Sequence, residues 1–302
     1  MEKINFIPAG AGLYEKIPHR RVTVKETTGS TNTDAAELLR QGERGFLIAA
    51  NAQTGGRGRR GRTFLSETGG IYFSFDVSAP AEKLRQCFTL VTPTAGVAAA
   101  LASRELYGID AKIKWVNDIF AGGKKLGGIL AEGVETDEGN DSEFHGGKSH
   151  DSEFHGGKSH DSEFHGVKPH DSEFHGVKPH DSEFHVIVGI GINAVNTRFP
   201  DTATSISREL PREFSGAVCS DELIAKIVGI FDDILFTDGV IDEYRRLLFI
   251  LGHDIIVHPF DGSEDYRARA IDVCPDGRLV ILRGGERILL SSGEVSILDT
   301  TL

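Results

Sequence analysis

Cysteine is scarce: the 302 residues hold three, Cys87, Cys219 and Cys274, and no CxxC spacing. That argues against a disulfide framework and a thiolate zinc site, and fits reduced thiols in a cytoplasmic protein. Long hydrophobic runs are lacking as well. No window reaches the roughly 18 uninterrupted apolar residues of a membrane span, and MEKINFIPAG has no apolar run behind a basic region. Neither an exported nor a membrane-spanning chain is expected. Positive charge is in the minority, with Lys+Arg 33 against Asp+Glu 45 and a formal net charge of -12. An average surface of that sign repels nucleic acid and anionic membranes. The remaining composition, 39% hydrophobic and 26% charged, is that of an ordinary globular protein with one large or two smaller domains.

Strand-like and helix-like segments alternate along most of the chain, which suggests a sheet covered by helices. RVTVKET reads as a strand and STNTDAAELLRQG as a helix, with Asp34 and Glu37 spaced as a capping box and Gly42 as a stop. GFLIAANAQ is a short buried strand, and GGIYFSFDVS alternates apolar residues with period two. TLVTPTAGVAAALASRELYG predicts a long alanine-rich helix. The strand AKIKWVND, the turn AGGKK and the strands LGGILAEGVE and VIVGIGINAV follow. SDELIAKIVGIFDDILF and VIDEYRRLLFILG are amphipathic and read as helices. Beyond Gly252, short strands separated by PDG and RGG turns predict a small barrel of its own, with a domain boundary near residue 250.

Residues 141–185 are different in kind. DSEFHGGKSH recurs with a strict ten-residue period from Asp141, drifts to DSEFHGVKPH, and stops at His185. Nine of the 12 histidines lie in this block. One phenylalanine per ten residues buries too little apolar area to offset the entropy of ordering the chain, so a disordered insert is expected. Transition-metal binding by the imidazoles and a repeat-built β-arrangement are the other readings. The five-residue histidine spacing forms no helical i, i+4 pair.

Against the acidic background, TGGRGRRGRTF, Thr54 to Phe64, concentrates four arginines among glycines. Glycines let backbone approach a ligand and guanidinium forks grip phosphate or carboxylate oxygens, so the stretch suits anion binding. No GK[ST] follows, which separates it from a Walker loop. Alone it reads equally as a solvated basic loop or an RGG-like patch. KWVND, Lys114 to Asp118, joins a cation, an aromatic platform and two side chains able to read a sugar or orient a metal-bound phosphate. It reads also as a strand end whose Asn117 and Asp118 bond their own backbone. KKLGGILAE sets Lys125 ahead of a glycine pair, and GIGIN, Gly189 to Asn193, sets small residues on a buried strand.

Taken in order, STN, QTGGRGRRGR, GIYFSF, KWVND, KLGGILAE and GIGIN resemble the biotin protein ligases over nearly the whole chain outside the repeats, including a terminal GEVSIL. The resemblance implies an α+β chain. Residues 1–250 would form a class II aminoacyl-tRNA synthetase-like catalytic domain of mixed sheet and helices, interrupted by the 141–185 insert, and residues 251–302 a small SH3-like β-barrel. It also implies that biotin and ATP, with Mg²⁺, form biotinyl-adenylate and pyrophosphate, and that biotin then passes to a lysine of a biotin carboxyl carrier domain such as that of acetyl-CoA carboxylase. Ser30, Thr31, Asn32, Gln53 and Gly56 would line the biotin pocket. Arg57, Gly58 and Arg59 would meet the biotin carboxylate and the adenylate phosphate, with the loop ordering over the ligand. Lys125 would bridge carboxylate and α-phosphate, and Gly128 and Gly189 would leave the ligand room. Trp115, Asn117, Asp118 and Asn193 would face adenine, ribose and Mg²⁺, Asp118 also being the candidate proton acceptor for the carrier lysine.

Two positions depart from the family pattern: Val116 stands where proline is usual, and Phe64 where tryptophan is frequent. Fewer than thirty residues precede Ser30, so no DNA-binding domain is expected, and a homodimer is left open. A lipoate-type ligase of the same fold and a decayed ligase-like domain displaying the histidines are the competing readings. The GRGRRG loop argues for biotin, and the intact Arg57, Arg59, Asp118 and Lys125 argue for catalysis.

Overall fold

β-Branched and aromatic residues cluster where the strands form, and alanine, leucine and glutamate where the helices form. In chain order the elements are β1 (Phe6–Ile7), α1 (Gly12–Lys16), β2 (Arg21–Lys25), α2 (Thr31–Arg40), β3 (Phe46–Ala50) and β4 (Gly70–Val77). Next come α3 (Ala81–Tyr107), β5 (Lys112–Lys114), β6 (Asp118–Ala121), β7 (Lys124–Asp137) and β8 (Ser182–Asn193). Then follow α4 (Ile206–Glu209), β9 (Val218–Cys219), α5 (Ser220–Ile234) and α6 (Val240–Leu247). The last strands are β10 (Asp254–His258), β11 (Tyr266–Val273), β12 (Leu279–Arg283), β13 (Glu286–Leu290) and β14 (Glu294–Ile297). The computed structural model describes residues 4–77, 79–137, 182–291 and 293–298.

The main sheet has seven strands in the order β2-β3-β4-β8-β7-β6-β5. β2 and β3 are parallel and every other neighbouring pair is antiparallel, so the fold is α+β around a mixed sheet. Strand alternation sorts the residues onto two faces. Leu47, Ala49, Ile71, Phe73, Phe75, Val188 and Ile190 join the main core with α3 and α5. Phe46, Ile48, Val134 and Ile187 pack under Ala35 and Leu39 of α2 on the opposite face. All eight residues of β4 are buried. The period-two pattern of GIYFSF therefore does not mark a solvent face: Tyr72, Ser74 and Asp76 lie under α2 and the loops beside it.

Several local expectations change. α2 has no capping box. Asp34 turns back to β2 and accepts from Lys25 Nζ at 3.0 Å and Thr28 Oγ1 at 2.6 Å. The helix's first backbone donor, Thr31 N, is satisfied by Gln53 Oε1 at 2.8 Å. Gly42, at φ +80, does end the helix. AKIKWVND is not one strand. The chain reverses at Trp115–Asn117, whose Trp115–Val116 peptide is cis, and β6 returns along β5. The 27-residue α3 is long and apolar enough by composition to cross a membrane, but 67% of its most apolar window is buried. It is packed as a core helix against the sheet.

The end of the repeat block is structured. β8 starts inside the last DSEFH, pairing Ser182 with Asp137 and His185 with Val134. Phe184 packs edge-on against Phe88 with ring centres 5.7 Å apart, and His185 Nε2 lies 2.7 Å from Arg44 Nη2. The expected disorder does not hold at these residues; 138–181 lie outside the described residues.

The C-terminal strands form a separate antiparallel sheet in the order β13-β12-β11-β10-β14. Its edge strands β13 and β14 are not paired among the described residues, so it stands as an open five-stranded sheet and not as a closed barrel. Trp115 Nε1 donates to Gly277 O at 3.1 Å, and Arg245 bonds Asp272 at 2.6 Å. Residues on both sides of position 250 share one hydrophobic core.

Candidate active site

On the α2 face of the main sheet, the positions beyond Ile187 lose their side chains. Gly189 and Gly191 of β8 and Gly128 of β7 form a bare floor just where the N-terminus of α2 points. A cleft of about 150 Å³ opens above it. The arginine loop crosses one side, and Asn117, Asp118 and Lys125 close the other.

Each wall has a local cause. Gly56 carries no side chain because a Cβ there would stand 2.3 Å from Ser66 Oγ and 2.4 Å from Phe64 O; the two arms of the loop pinch at that point. Between them the tip turns through Arg60 (φ 57) and Gly61 (φ 68), tied by Gly58 N to Arg62 O at 2.7 Å. The tip rests on the C-terminal sheet's side of the molecule. Arg60 lies 3.8 Å over the Phe260 ring, and Arg62 forms an ion pair with Glu294. Gly189 makes room for protein: a Cβ would stand 1.8 Å from Asn32 Oδ1. Gly191 does the same for the Phe64 ring, 2.7 Å from its would-be Cβ. A Cβ at Gly128 would meet Asp118 and Lys125 only at ordinary contact, 3.6 Å, so that stretch of floor is open.

A polar rail runs beneath the cleft. Glu132 accepts from Asn32 Nδ2 at 2.7 Å, and Asn32 Oδ1 accepts from Ser74 Oγ at 2.6 Å. Ser74 Oγ lies 2.7 Å from Thr31 Oγ1, and Gln53 bridges Thr31 N to Ser66 Oγ, 3.0 Å away. Such a connected network fixes the amide orientations of Asn32 and Gln53. Lys125 is clamped by its backbone, Lys125 N to Thr202 O at 2.9 Å and Thr204 N to Lys125 O at 2.8 Å.

Four cations line the cleft: Arg57, Arg59, Arg62 and Lys125. Three are paired to carboxylates, Arg57 to Glu132 at 3.1 Å, Lys125 to Asp118 at 2.7 Å, and Arg62 to Glu294. Arg59 instead donates to Asn117 Oδ1 at 3.4 Å and lies 5.7 Å from the centre of the Phe260 ring. Burial pushes the Arg59 guanidinium below its ordinary pKa, against the opposing pull of Asp118 and Glu294. Lys114, in register opposite Asp118, is lowered for the same reason. A glycine-floored cleft with convergent cations is built to hold an anion close to backbone.

Residues 24–141 match the model of the Biotin/lipoate A/B protein ligase family. Over 125 residues the chain is 35% identical to the bifunctional ligase/repressor BirA of Bacillus subtilis (strain 168), and over 119 residues 34% identical to the biotin--[acetyl-CoA-carboxylase] ligase of Mycobacterium tuberculosis. These matches take in 40% and 37% of this chain, and 37% and 44% of the relatives' lengths. The chain thus spans under half of the curated relatives it matches. The fold extends further. The biotin protein ligase of Aquifex aeolicus, solved in complex with biotin and ATP, superposes with a TM-score of 0.64 at 20% identity, covering 91% of this chain and 97% of that one. That of Leishmania major with biotinyl-5-AMP gives 0.52 at 20%, covering 90% and 99%. The chain has the biotin protein ligase fold.

The matched segment carries Ser30 to Gly128, while Gly189 and Glu294 come to the cleft from outside it. Ser30, Thr31, Asn32, Gln53, Arg57, Gly58, Arg59, Asn117, Asp118, Lys125, Gly128 and Gly189 all line the one cleft. Three residues expected there do not. Gly56 sits in the pinch of the loop stem. Trp115 is buried and bonded to the C-terminal sheet, because the turn after β5 sends it and Asn117 to opposite sides. Asn193 is buried, donating to Thr204 O at 2.9 Å and accepting from Asn196 Nδ2 at 3.0 Å. It braces the loop that clamps Lys125. Sequence reasoning missed Arg62, Ser74, Glu132, Gly191 and Glu294. Arg62, Ser74, Glu132 and Gly191 lie within motifs already singled out, and alternation along one strand ties Gly191 to Gly189 and Glu132 to Gly128.

Proposed function

We propose that this chain is an ATP-dependent biotin protein ligase. The observation that carries the reading is the convergence of Arg57, Arg59 and Lys125 on one glycine-floored cleft in an otherwise acidic protein. Joining a carboxylic acid to ATP brings two anions together, and preorganised cations lower the barrier by countering the charge that builds at the α-phosphate. The biotin carboxylate oxygen attacks that phosphorus, and the bond to pyrophosphate breaks. Arg57 and Lys125 hold the carboxylate and phosphate, while Arg59 with Phe64 and Asn117 faces the nucleotide. Ser30, Thr31, Asn32 and Gln53 shape the acyl pocket. A carrier-domain lysine then attacks the acyl carbon and AMP leaves. Asp118, 2.7 Å from Lys125 Nζ, is the carboxylate placed to receive the proton the attacking amine must lose.

Among the described residues no group of three His, Cys, Asp or Glu side chains could hold a metal by itself. Mg²⁺ usually binds through one or two carboxylates together with nucleotide phosphates, so a metal carried in by ATP fits Asp118 as its protein ligand. When bound it would offset phosphate charge. The closing of the arginine loop excludes water from the reactive anhydride. As part of the same reading we assign the main sheet to the class II aminoacyl-tRNA synthetase-like architecture and the C-terminal sheet to the SH3-like class, and place the protein, with its free Cys87, Cys219 and Cys274, in the cytoplasm. The test is incubation with biotin, MgATP and a biotin carboxyl carrier domain. The carrier should gain the mass of one biotinyl group; transfer of lipoate without biotin would overturn the substrate assignment.

A further inference from the structure

One oxygen of Glu132 takes two donors at once, Asn32 Nδ2 at 2.7 Å and Arg57 Nη2 at 3.1 Å. The donors come from the start of α2 and from the arginine loop, so their meeting point above β7 is a seat shaped for a carboxylate oxygen. In the structure the chain's own carboxylate fills it. Asn32 is buried and cannot swing away without breaking its bond to Ser74. Glu132 and Arg57 keep side-chain exposures of 24% and 38%, so their ion pair is not sealed in the core, and Arg57 itself lines the cleft. A ligand anion that enters meets an arginine already neutralised.

We infer that Glu132 is the internal counter-ion that a ligand carboxylate displaces from Arg57 and Asn32. Binding at this seat is then an exchange of one carboxylate for another. Two consequences follow from the charges alone. The ligand gains the Arg57 contact only against the loss of the Glu132 contact, so affinity in the native protein is held below what Arg57 could give. Until exchange occurs, Glu132 also holds the arginine loop near the floor. The seat rests on geometry; naming its ligand as the carboxylate of biotin rests on the ligase reading above.

The Glu132→Gln variant tests this. Its amide oxygen still accepts from Asn32 but no longer neutralises Arg57. Measured by calorimetry, the Kd for biotin should fall by about threefold, the size expected of a half-exposed ion pair, with the neutral analogue biotinamide unaffected. Trypsin should cut the unliganded variant faster than the native protein within Arg57–Arg62. A Kd for biotin equal to or weaker than native, in a variant folded by circular dichroism, overturns the inference. If the native protein binds no biotin, the ligase reading fails on its own, and the unliganded trypsin comparison decides the seat: equal cleavage refutes it and faster cleavage supports it. Should Glu132→Gln not fold, Glu132→Asp, which keeps the charge but withdraws it from Arg57, is expected to move both readouts in the same direction.

Discussion

Replacing Gly189 by alanine asks whether the cleft floor is bare in order to seat Asn32. The new Cβ would stand 1.8 Å from Asn32 Oδ1, 2.7 Å from its Cγ and 3.0 Å from its Nδ2, all inside contact distance. Asn32 is buried, so it must leave both Ser74 Oγ (2.6 Å) and Glu132 (2.7 Å), or β8 must shift. Losing a neutral and a charge-assisted hydrogen bond costs about 1 and about 2 kcal/mol, and residual overpacking about 1 kcal/mol more. Alanine regains roughly 0.5–1 kcal/mol of strand propensity over glycine. The net destabilisation is about 3 kcal/mol. Urea denaturation should show it as a lower midpoint at unchanged slope, and biotin affinity should fall with it. Gly191→Ala is the control. Its Cβ would strike the Phe64 ring at 2.7 Å, but Phe64 stands on the loop and can swing, so stability should drop by only about 1 kcal/mol. A Gly189→Ala protein within about 0.5 kcal/mol of native, with biotin binding intact, would refute the assignment of Asn32 to this position.

Arg57→Ala and Lys125→Ala each remove a cation where charge is redistributed, so single-turnover adenylation should slow on the order of tenfold to thousandfold, and Arg57→Ala should shorten adenylate lifetime in a filter-release assay. Trp115→Phe leaves the Gly277 carbonyl without its partner and should destabilise by about 1–2 kcal/mol in thermal unfolding, while kcat for adenylation stays near native because Trp115 lies outside the cleft. Joining Asp137 to Ser182, which are directly paired, through an Asn-Gly turn in place of 138–181 should leave pyrophosphate exchange unchanged and raise stability by at most about 2 kcal/mol. The side-chain hydrogen bond from Arg245 holds the Asp272 carboxyl below its ordinary value. Its contribution is complete above the unfolded-state pKa near 4 and is lost as pH falls through the lower folded value, so Asp272→Asn should flatten the acid limb of the stability profile.

The order of motifs along the chain was enough to place twelve site residues around one cleft, because each sits where a strand or helix end meets the same sheet face. What escaped the sequence were directions. WVND reads as one unit, yet the reversal after Lys114 turns Trp115 toward Gly277 and Asn117 toward the arginine loop. GIGIN likewise marks the right strand without its packing. Gly189 lines the cleft and also makes room for Asn32, while Asn193 faces Thr204. Asp34 and Glu37 have capping-box spacing, but Asp34 accepts from Lys25 and Thr28 instead. Glu294 could not be read at all, since it reaches the cleft only through the way the C-terminal sheet docks. The last repeat shows the same limit: the apolar VIVGIGIN that adjoins it carries Ser182–His185 into β8.

The most direct test of the central claim is ATP–pyrophosphate exchange with the purified chain. Exchange of labelled pyrophosphate into ATP that requires biotin, and is lost in Lys125→Ala, is the expected result. Exchange that does not respond to biotin, or its absence in a folded protein supplied with biotin and MgATP, would contradict the assignment of this cleft to biotin adenylation.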